Sequence, residues 1–266
     1  MKKYNRYFNV NQKSWDARVP MHLESEFYNV KGFNKGESTL QAFELQALGE
    51  VRGEKLLHLQ CHFGLDTLSW SRKGAICTGI DLSETAIQTA RKLAETNALQ
   101  ADFVCGNVLD TPKLVEDTFD IVFTSYGVIN WLPDLTEWGQ IIAAKLRHGG
   151  IFYMVEFHPI CWMFDHESSI MSPVHTYSSS DVIEEVVKGS YADKTANLTG
   201  SECTWNHGLG DVVNALIDAG LQLSFLNEHY ETPYPIFSDL TQISNGLFIQ
   251  KPSLYPLLFE IKAIKQ

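Results

Sequence analysis

Polar residues follow several strand-like apolar runs in this 266-residue sequence, where they could contact one ligand. The run that ends at Leu59 is followed by QCHFG (60–64), and the next run ends at Asp81. A carboxylate there can accept two hydrogen bonds from adjacent hydroxyls, as in a ribose diol; a cap of the next helix is the less favoured alternative. Asn107 follows a third run and SYGVINW (125–131) a fourth. A turn, a diol acceptor, an amide and an aromatic surface occur in the order that an adenosine site requires.

Alternating strands and helices must position these residues. From residue 55, five strand-like runs alternate with helical patterns, of which SETAIQTARKLAETNAL (83–99) has a clear apolar face. This alternation predicts an α/β fold with a doubly wound, mostly parallel sheet and helices on both faces. It also predicts a helix over 131–150 and a fifth strand over 151–159. In such sheets ligands bind at the carboxyl ends of the strands.

The regular pattern is interrupted at both ends of this core. Residues 1–50 are predicted to form an N-terminal helical cover, and residues 51–266 the main domain. The segment 160–205 is rich in Ser, His, Tyr and Trp, and is predicted to be an insertion or lid. Its aromatic residues either cover a ligand or form the core of the insertion. A helix and a strand are predicted over 208–230, and a last apolar strand over 253–266.

Composition excludes several classes of partner. The net charge of −11 argues against nucleic acid and anionic membranes, because phosphate binding needs clustered Lys and Arg. The first residues lack the apolar core of a signal peptide, and no window approaches about 20 apolar residues. The five cysteines are scattered without a CxxC pair, and no spacing matches a tight metal site. A reduced, cytoplasmic protein without a resident metal is therefore predicted.

Three motifs together resemble those of the class I, Rossmann-like S-adenosylmethionine-dependent methyltransferases. LLHLQCHFGLDTLSWSRKGA (56–75) matches the first motif of that family and TGIDLSETAIQTARKLA (78–94) the second. The segment 119–159 resembles its fourth strand, following helix and fifth strand. The resemblance covers about 50–160 and 208–265, and implies a seven-stranded sheet whose last strand is antiparallel. LQCHFG is similar to a signature found in a subset of the family.

The first motif departs from the family pattern of an acidic residue and three glycines. Those places hold His58, Gln60, His62 and Gly64. Loss of the acid at His58 removes a common partner of the methionine amino group. A residue with a Cβ, such as His62, is also less free to adopt a positive φ. We interpret the loop as altered but able to bind, so Gly64→Val should abolish cofactor binding and His62→Gly should not.

Mapped residue by residue, the resemblance implies a site for S-adenosylmethionine. The methionine end would be lined by Gln60, Cys61, His62 and Gly64. The ribose and adenine would be held by Asp81, Leu82, Asn107 and Val108. The sulfonium side would be walled by Tyr126, Asn130 and Trp131. Trp15 and His22 are candidates to cover the pocket.

The implied activity is methyl transfer to a small-molecule acceptor by in-line displacement, for which alignment can contribute about 7–11 kcal/mol. A general base is optional; Glu156 and His158 are the first candidates and His207 is another. A protein that binds S-adenosylmethionine or S-adenosylhomocysteine without turnover is an alternative. An NAD(P)-dependent oxidoreductase is less favoured, because QCHFGL lacks the G-x-G-x-x-G spacing. The acceptor and the oligomeric state are not predicted.

Overall fold

A seven-stranded sheet forms the centre of the computed structural model, which describes residues 2–165, 172–235, 237, 240–243 and 246–266. Its strands in chain order are β1 (Lys55–Leu59), β2 (Ile76–Asp81), β3 (Ala101–Cys105), β4 (Phe119–Ser125), β5 (Leu146–Phe157), β8 (Leu221–His229) and β12 (Leu258–Lys265). Their spatial order is β3-β2-β1-β4-β5-β12-β8. The order reverses between β1 and β4, which is where an open α/β sheet forms a crevice for a ligand.

Strand directions follow the predicted architecture. β1 to β5 pair in parallel, whereas β12 is antiparallel to both β5 and β8. The prediction of seven strands with the last one antiparallel is therefore confirmed. Strands β1 and β4 are buried along almost their whole length because helices cover the sheet on both faces.

The main helices form where the sequence provides caps and one apolar face. The helices are α1 (Asn5–Glu24), α2 (Val30–Phe33), α3 (Ala42–Leu48), α4 (Leu65–Arg72), α5 (Glu84–Thr96), α6 (Thr111–Leu114), α7 (Leu135–Lys145) and α8 (Leu209–Asp218). Helix α5 has both features. The Ser83 hydroxyl caps the helix by accepting the Ala86 N–H at 3.0 Å, and the apolar face of the helix is buried. In the part of the chain that the structure describes, no helix has the length and apolarity needed to cross a membrane.

Several predicted boundaries of helices and strands were wrong. The helix expected over 131–150 ends at Lys145, because Leu146 already pairs with Phe119 of β4 and extends the backbone. That helix begins only at Leu135, after Asp134 accepts the Thr136 N–H at 2.7 Å. Strand β5 is correspondingly longer than expected and includes the Gly149–Gly150 pair. The last strand begins at Leu258 and not at residue 253.

The N-terminal segment contacts the segment predicted as an insertion. Strands β6 (Ile183–Lys188) and β7 (Thr199–Thr204) form an antiparallel hairpin in that segment, of which residues 166–171 lie outside the described residues. Helix α1 packs on β7, where Asn11 exchanges two 2.8 Å hydrogen bonds with the backbone of Cys203. Arg18 forms an ion pair with Glu202 on the same strand. Helix α1 is thereby held against the hairpin.

A second small sheet lies in the connection between β8 and β12, and the sequence patterns did not predict it. Its strands are β9 (Glu231–Thr232), β10 (Leu240–Gln242) and β11 (Phe248–Gln250). Its neighbour Tyr234 packs against Tyr126 with ring centroids 4.9 Å apart. This connection therefore reaches the carboxyl ends of the central strands.

Candidate functional site

The loop that joins β1 to α4, called the first loop (residues 60–64), has three residues in the left-handed region. Their φ angles are 57° at Gln60, 50° at His62 and 77° at Gly64. Only glycine adopts such angles without steric cost. The chain thus keeps the backbone of a glycine loop with side chains at two of the three positions, as the interpretation of an altered loop requires.

Hydrogen bonds attach the first loop to both neighbouring strands. Gln60 Nε2 donates to the Val128 carbonyl at 2.8 Å, beyond the end of β4. His62 N–H donates to Asp81 Oδ2 at 2.7 Å, at the end of β2. The Cys61 thiol is buried, and burial raises its pKa well above the usual range. A neutral thiol is a poor nucleophile, which agrees with a lining role for Cys61.

Asp81 is oriented by backbone donors on two sides. Besides the His62 N–H, its carboxylate accepts the Ser83 N–H at 2.9 Å. Ser83, not Asp81, caps helix α5. Burial raises the Asp81 pKa to about 6, although backbone hydrogen bonds oppose that rise. The carboxylate is therefore fixed at the carboxyl edge of the sheet and is not the cap of helix α5.

The residues that follow Asp81 and β3 line the same edge. Leu82 is half-buried, and its carbonyl accepts a hydrogen bond from Gln12 of α1 at 3.0 Å. Asn107 Oδ1 accepts the Leu109 N–H at 2.9 Å, which forms a tight turn. Val108 is buried against the main core. The turn at Asn107 fixes the backbone on the far side of Asp81 from the first loop.

The loop after β4, called the fourth loop (residues 126–131), is closed by its own contacts. Trp131 Nε1 donates to the Gly127 carbonyl at 2.8 Å. The Tyr126 hydroxyl donates to Glu44 Oε1 at 2.9 Å. Asn130 is buried in a short 3-10 turn. The structure thus brings the fourth loop beside the first loop, with Gln60 bridging the two.

Glu156 and His158, the candidate bases, both make contacts within the protein. Glu156 is fully buried, and its carboxylate accepts the backbone N–H groups of Gly127, Val128, Ile129 and Phe157. Burial raises its pKa, and these four donors oppose the rise. His158 Nε2 lies 2.8 Å from Glu228, and its Nδ1 accepts the Ile160 N–H.

These contacts hold the fourth loop and the end of β5 in place. His207 is likewise engaged, with its Nε2 2.7 Å from the Leu132 carbonyl. A general-base role for Glu156 or His158 stays a prediction.

Helix α1 covers the first and fourth loops with Trp15 and His22. The Trp15 ring centroid lies 5.1 Å from that of His62 and 5.2 Å from that of Trp131. His22 Nδ1 lies 3.0 Å from His62 Nε2, and its Nε2 lies 2.7 Å from Ser190 Oγ. Burial lowers the pKa of His22 to about 3 and that of His62 well below its usual value. Two neutral imidazoles can share this hydrogen bond without repulsion between charges.

Two carboxylates near Tyr126, the buried Glu44 and the half-buried Asp66, were not among the residues predicted from the sequence. Glu44 is fully buried and accepts the Gln41 N–H as well as the Tyr126 hydroxyl. Asp66 accepts hydroxyl hydrogen bonds from Thr39 at 2.5 Å and Ser125 at 3.0 Å. Asp66 follows Gly64 by two residues, a position that could have indicated its closeness to the first loop. Glu44 lies 82 residues from Tyr126 and carried no comparable signal.

Glu44 is expected to make stability depend on pH. Burial raises its pKa from 4.5 to about 7, so its contribution to stability is complete below pH 4.5 and lost as the pH rises through 7. The difference in unfolding free energy between Glu44→Gln and wild type should therefore shift by about 2–3 kcal/mol in favour of the variant as the pH rises from 5 to 8. Urea denaturation at both pH values measures this. Exposed Glu95→Gln is the control, and an equal gain there would contradict the prediction.

The central part of the chain is similar to known methyltransferases. Residues 57–154 match the family model described as a methyltransferase domain. An uncharacterized methyltransferase of Synechocystis sp. is 33% identical over 133 residues, which cover 48% of this chain and 59% of that relative. The matched region thus spans little more than half the length of the relative.

Solved structures share the fold over a larger part of the chain. A methyltransferase described as S-adenosylmethionine-dependent, from Listeria monocytogenes, superposes with a TM-score of 0.60 at 19% identity, over 84% of this chain and 96% of that one. The glycopeptide N-methyltransferase MtfA, crystallised with S-adenosylmethionine, has a TM-score of 0.56 at 18% identity, over 87% and 88% of the two chains. Residues 57–154 therefore match a methyltransferase domain, and the chain shares the fold of these S-adenosylmethionine-dependent methyltransferases.

Proposed function

We propose that this protein binds S-adenosylmethionine and transfers its methyl group to a small-molecule acceptor. The observation that carries the proposal is the Asp81 carboxylate, which backbone N–H groups of His62 and Ser83 orient at the carboxyl edge of the sheet. Buried carboxamide oxygens of Gln60 and Asn130 also lack a donor among the described residues. Such acceptor atoms fit a ligand that carries hydroxyl and ammonium donors. We also propose membership in the LQCHFG subset and a cytoplasmic location.

Three sets of residues would hold the cofactor. The methionine end would contact Gln60, Cys61, His62 and Gly64. The adenosine would contact Asp81, Leu82, Asn107 and Val108. The reacting side would be bounded by Tyr126, Asn130 and Trp131. The first two sets lie on the loops after β1, β2 and β3, and Gln60 joins them to the third.

The cofactor, when bound, supplies an activated methyl group on a sulfonium. The protein then has to align the acceptor and exclude water, and alignment can contribute about 7–11 kcal/mol. Helix α1 suits the exclusion of water, because Trp15 packs over both His62 and Trp131. Glu156 and His158 remain the proposed bases. Because both are already hydrogen-bonded in the protein, an acceptor that is nucleophilic before it loses a proton, such as a neutral amine, suits this site better than an alcohol, which needs a base.

The same observation favours one alternative, a protein that binds the cofactor or its product without turnover. Calorimetry with S-adenosylmethionine, S-adenosylhomocysteine and NAD separates the possibilities. Binding of neither sulfur ligand by folded protein would refute the proposal. Binding followed by labelled methyl transfer to a component of a cell extract would support the methyltransferase, and binding without transfer would favour the alternative.

Asp81 is expected to make cofactor affinity depend on pH. Its pKa of about 6 means that the carboxylate, which accepts hydrogen bonds from a diol, is lost as the pH falls from 7 to 5. The affinity for S-adenosylhomocysteine should fall across this range in wild type. Asp81→Asn should bind at least about tenfold more weakly at pH 7 and show little pH dependence. Titration calorimetry measures both, with exposed Asp102→Asn as the control; a pH-independent wild type would contradict the prediction.

A further inference from the structure

The Gln60 side chain has one bonded and one unbonded polar atom. Its Nε2 donates to the Val128 carbonyl at 2.8 Å. A carbonyl can only accept, so the atom facing Val128 must be the nitrogen, and the other atom is the oxygen. This Oε1 is buried and has no hydrogen-bond donor within the described ranges. An acceptor buried without a donor costs free energy unless a ligand supplies the donor.

The backbone conformation at Gln60 costs conformational free energy that a glycine would avoid. Its φ of 57° lies in the left-handed region, where glutamine is disfavoured relative to glycine. Glycine would adopt this angle freely but would provide neither the bond to Val128 nor Oε1. Strained residues of this kind concentrate at functional sites because the surrounding structure holds them there.

Asn130 presents a second unbonded oxygen from the fourth loop. Its Nδ2 lies 3.5 Å from Asn206 Oδ1, whose own amide nitrogen donates to the carbonyls of Trp162 and Thr176. Asn206 Oδ1 is thus available to accept, so Asn130 faces it with its nitrogen and leaves Oδ1 unbonded. Asn130 is only 9% exposed. Two acceptor oxygens therefore lie on the two loops that Gln60 connects.

His58, at the place of the family's acidic residue, carries no charge that could take part. Its Nδ1 lies 2.8 Å from Thr67 Oγ1, and its ring packs 4.7 Å from that of Phe123 in the core. Burial lowers its pKa to about 3, so the imidazole is neutral. Its unbonded Nε2 is enclosed in the core with the ring, so His58 offers no charged partner to a cationic group of a ligand.

We propose that Gln60 Oε1 accepts a hydrogen bond from the α-ammonium group of the bound cofactor and replaces the missing acid. This inference rests on the proposed function. With the ribose at Asp81 on β2 and the adenine toward Asn107 after β3, the amino-acid end lies toward β1 and β4. Gln60 and Asn130 are on the loops after those two strands. An ammonium has three donors, and the two unbonded oxygens are acceptors that suit it.

The test compares S-adenosylhomocysteine with its desamino analogue, in which hydrogen replaces the α-ammonium. Calorimetry should show that wild type binds S-adenosylhomocysteine about tenfold more tightly than the analogue. Gln60→Met should reduce that preference severalfold by weakening S-adenosylhomocysteine alone, and the Asn130 oxygen should account for any preference that remains. Gln60→Glu, which keeps an acceptor oxygen, should retain or increase the preference.

Other variants keep the test decisive. Gln60→Asn retains an amide, tolerates positive φ and is too short to reach, so it should behave like Gln60→Met even if the latter is unstable. Exposed Gln88→Met should leave both affinities unchanged. If the Gln60→Met and Gln60→Asn variants lost affinity for both ligands equally, Gln60 would act only on the shape of the loop, and the inference would be overturned. It would also be overturned if these variants kept the full preference of wild type for S-adenosylhomocysteine over the analogue. Failure of wild type to bind either ligand would instead refute the proposed function.

Discussion

Replacement of Glu156 with alanine is expected to lower the free energy of unfolding by about 4 kcal/mol and to abolish cofactor binding. The buried carboxylate accepts four backbone N–H groups, three of them from the fourth loop. Each of these donors would be left buried without an acceptor, and an unsatisfied buried donor costs about 1–3 kcal/mol. The costs do not add fully because the loop can relax toward water. That relaxation would itself displace Asn130 and Trp131.

Urea denaturation and calorimetry with S-adenosylhomocysteine measure the two effects. Glu156→Gln should be intermediate, because one amide oxygen still accepts while the amide nitrogen faces N–H donors. Glu228→Ala is the matched control: this half-exposed glutamate contacts His158 on the neighbouring segment but no N–H of the fourth loop. If Glu156→Ala were as stable as Glu228→Ala, Glu156 would not be what holds the fourth loop. Retained binding with lost methyl transfer would support Glu156 as the base.

The sheet and the main helices could be predicted because local signals and long-range packing agree there. Ser83 and the apolar face that follows it specify α5 within a single window of sequence. The alternation of strands and helices then limits the sheet to few arrangements. The early end of α7 could not be predicted, since it depends on Leu146 pairing with Phe119, 27 residues away.

In the candidate site, too, some residues could be placed from the sequence and others could not. Asp81 and Asn107 could be placed because Asp81 ends β2 and Asn107 lies two residues after β3, and strand ends converge at one edge of a parallel sheet. The positive φ angles of Gln60 and His62 were not readable from residue type, which argues against them. The contact between His22 and His62 and the bond between Glu44 and Tyr126 join distant parts of the chain. Such contacts depend on tertiary packing, which no local pattern encodes.

Gly64→Val is expected to abolish cofactor binding, and the structure gives a reason beyond closeness to the ligand. A Cβ at Gly64 would lie 2.6 Å from Cε1 of Phe103 and 3.2 Å from the Ala90 Cβ, inside a buried core cluster. The φ of 77° adds strain for any residue with a side chain. Overpacking and strain together should cost more than about 3 kcal/mol of unfolding free energy. Loss of binding in this variant would therefore not by itself locate the ligand.

Two further variants distinguish disrupted core packing from loss of a ligand contact: His62→Gly, and Gly64→Ala combined with Phe103→Leu. His62→Gly relieves a strained φ of 50° but loses the hydrogen bond to His22, so its stability should stay within about 1 kcal/mol of wild type and binding should persist. Gly64→Ala combined with Phe103→Leu leaves room for the methyl group. If this double variant folds, as thermal denaturation would show, and still fails to bind S-adenosylhomocysteine, then the ligand approaches Gly64 itself. Full binding by the folded double variant would mean that Gly64 is needed only for core packing. Loss of binding in His62→Gly would mean that the His62 side chain contacts the ligand.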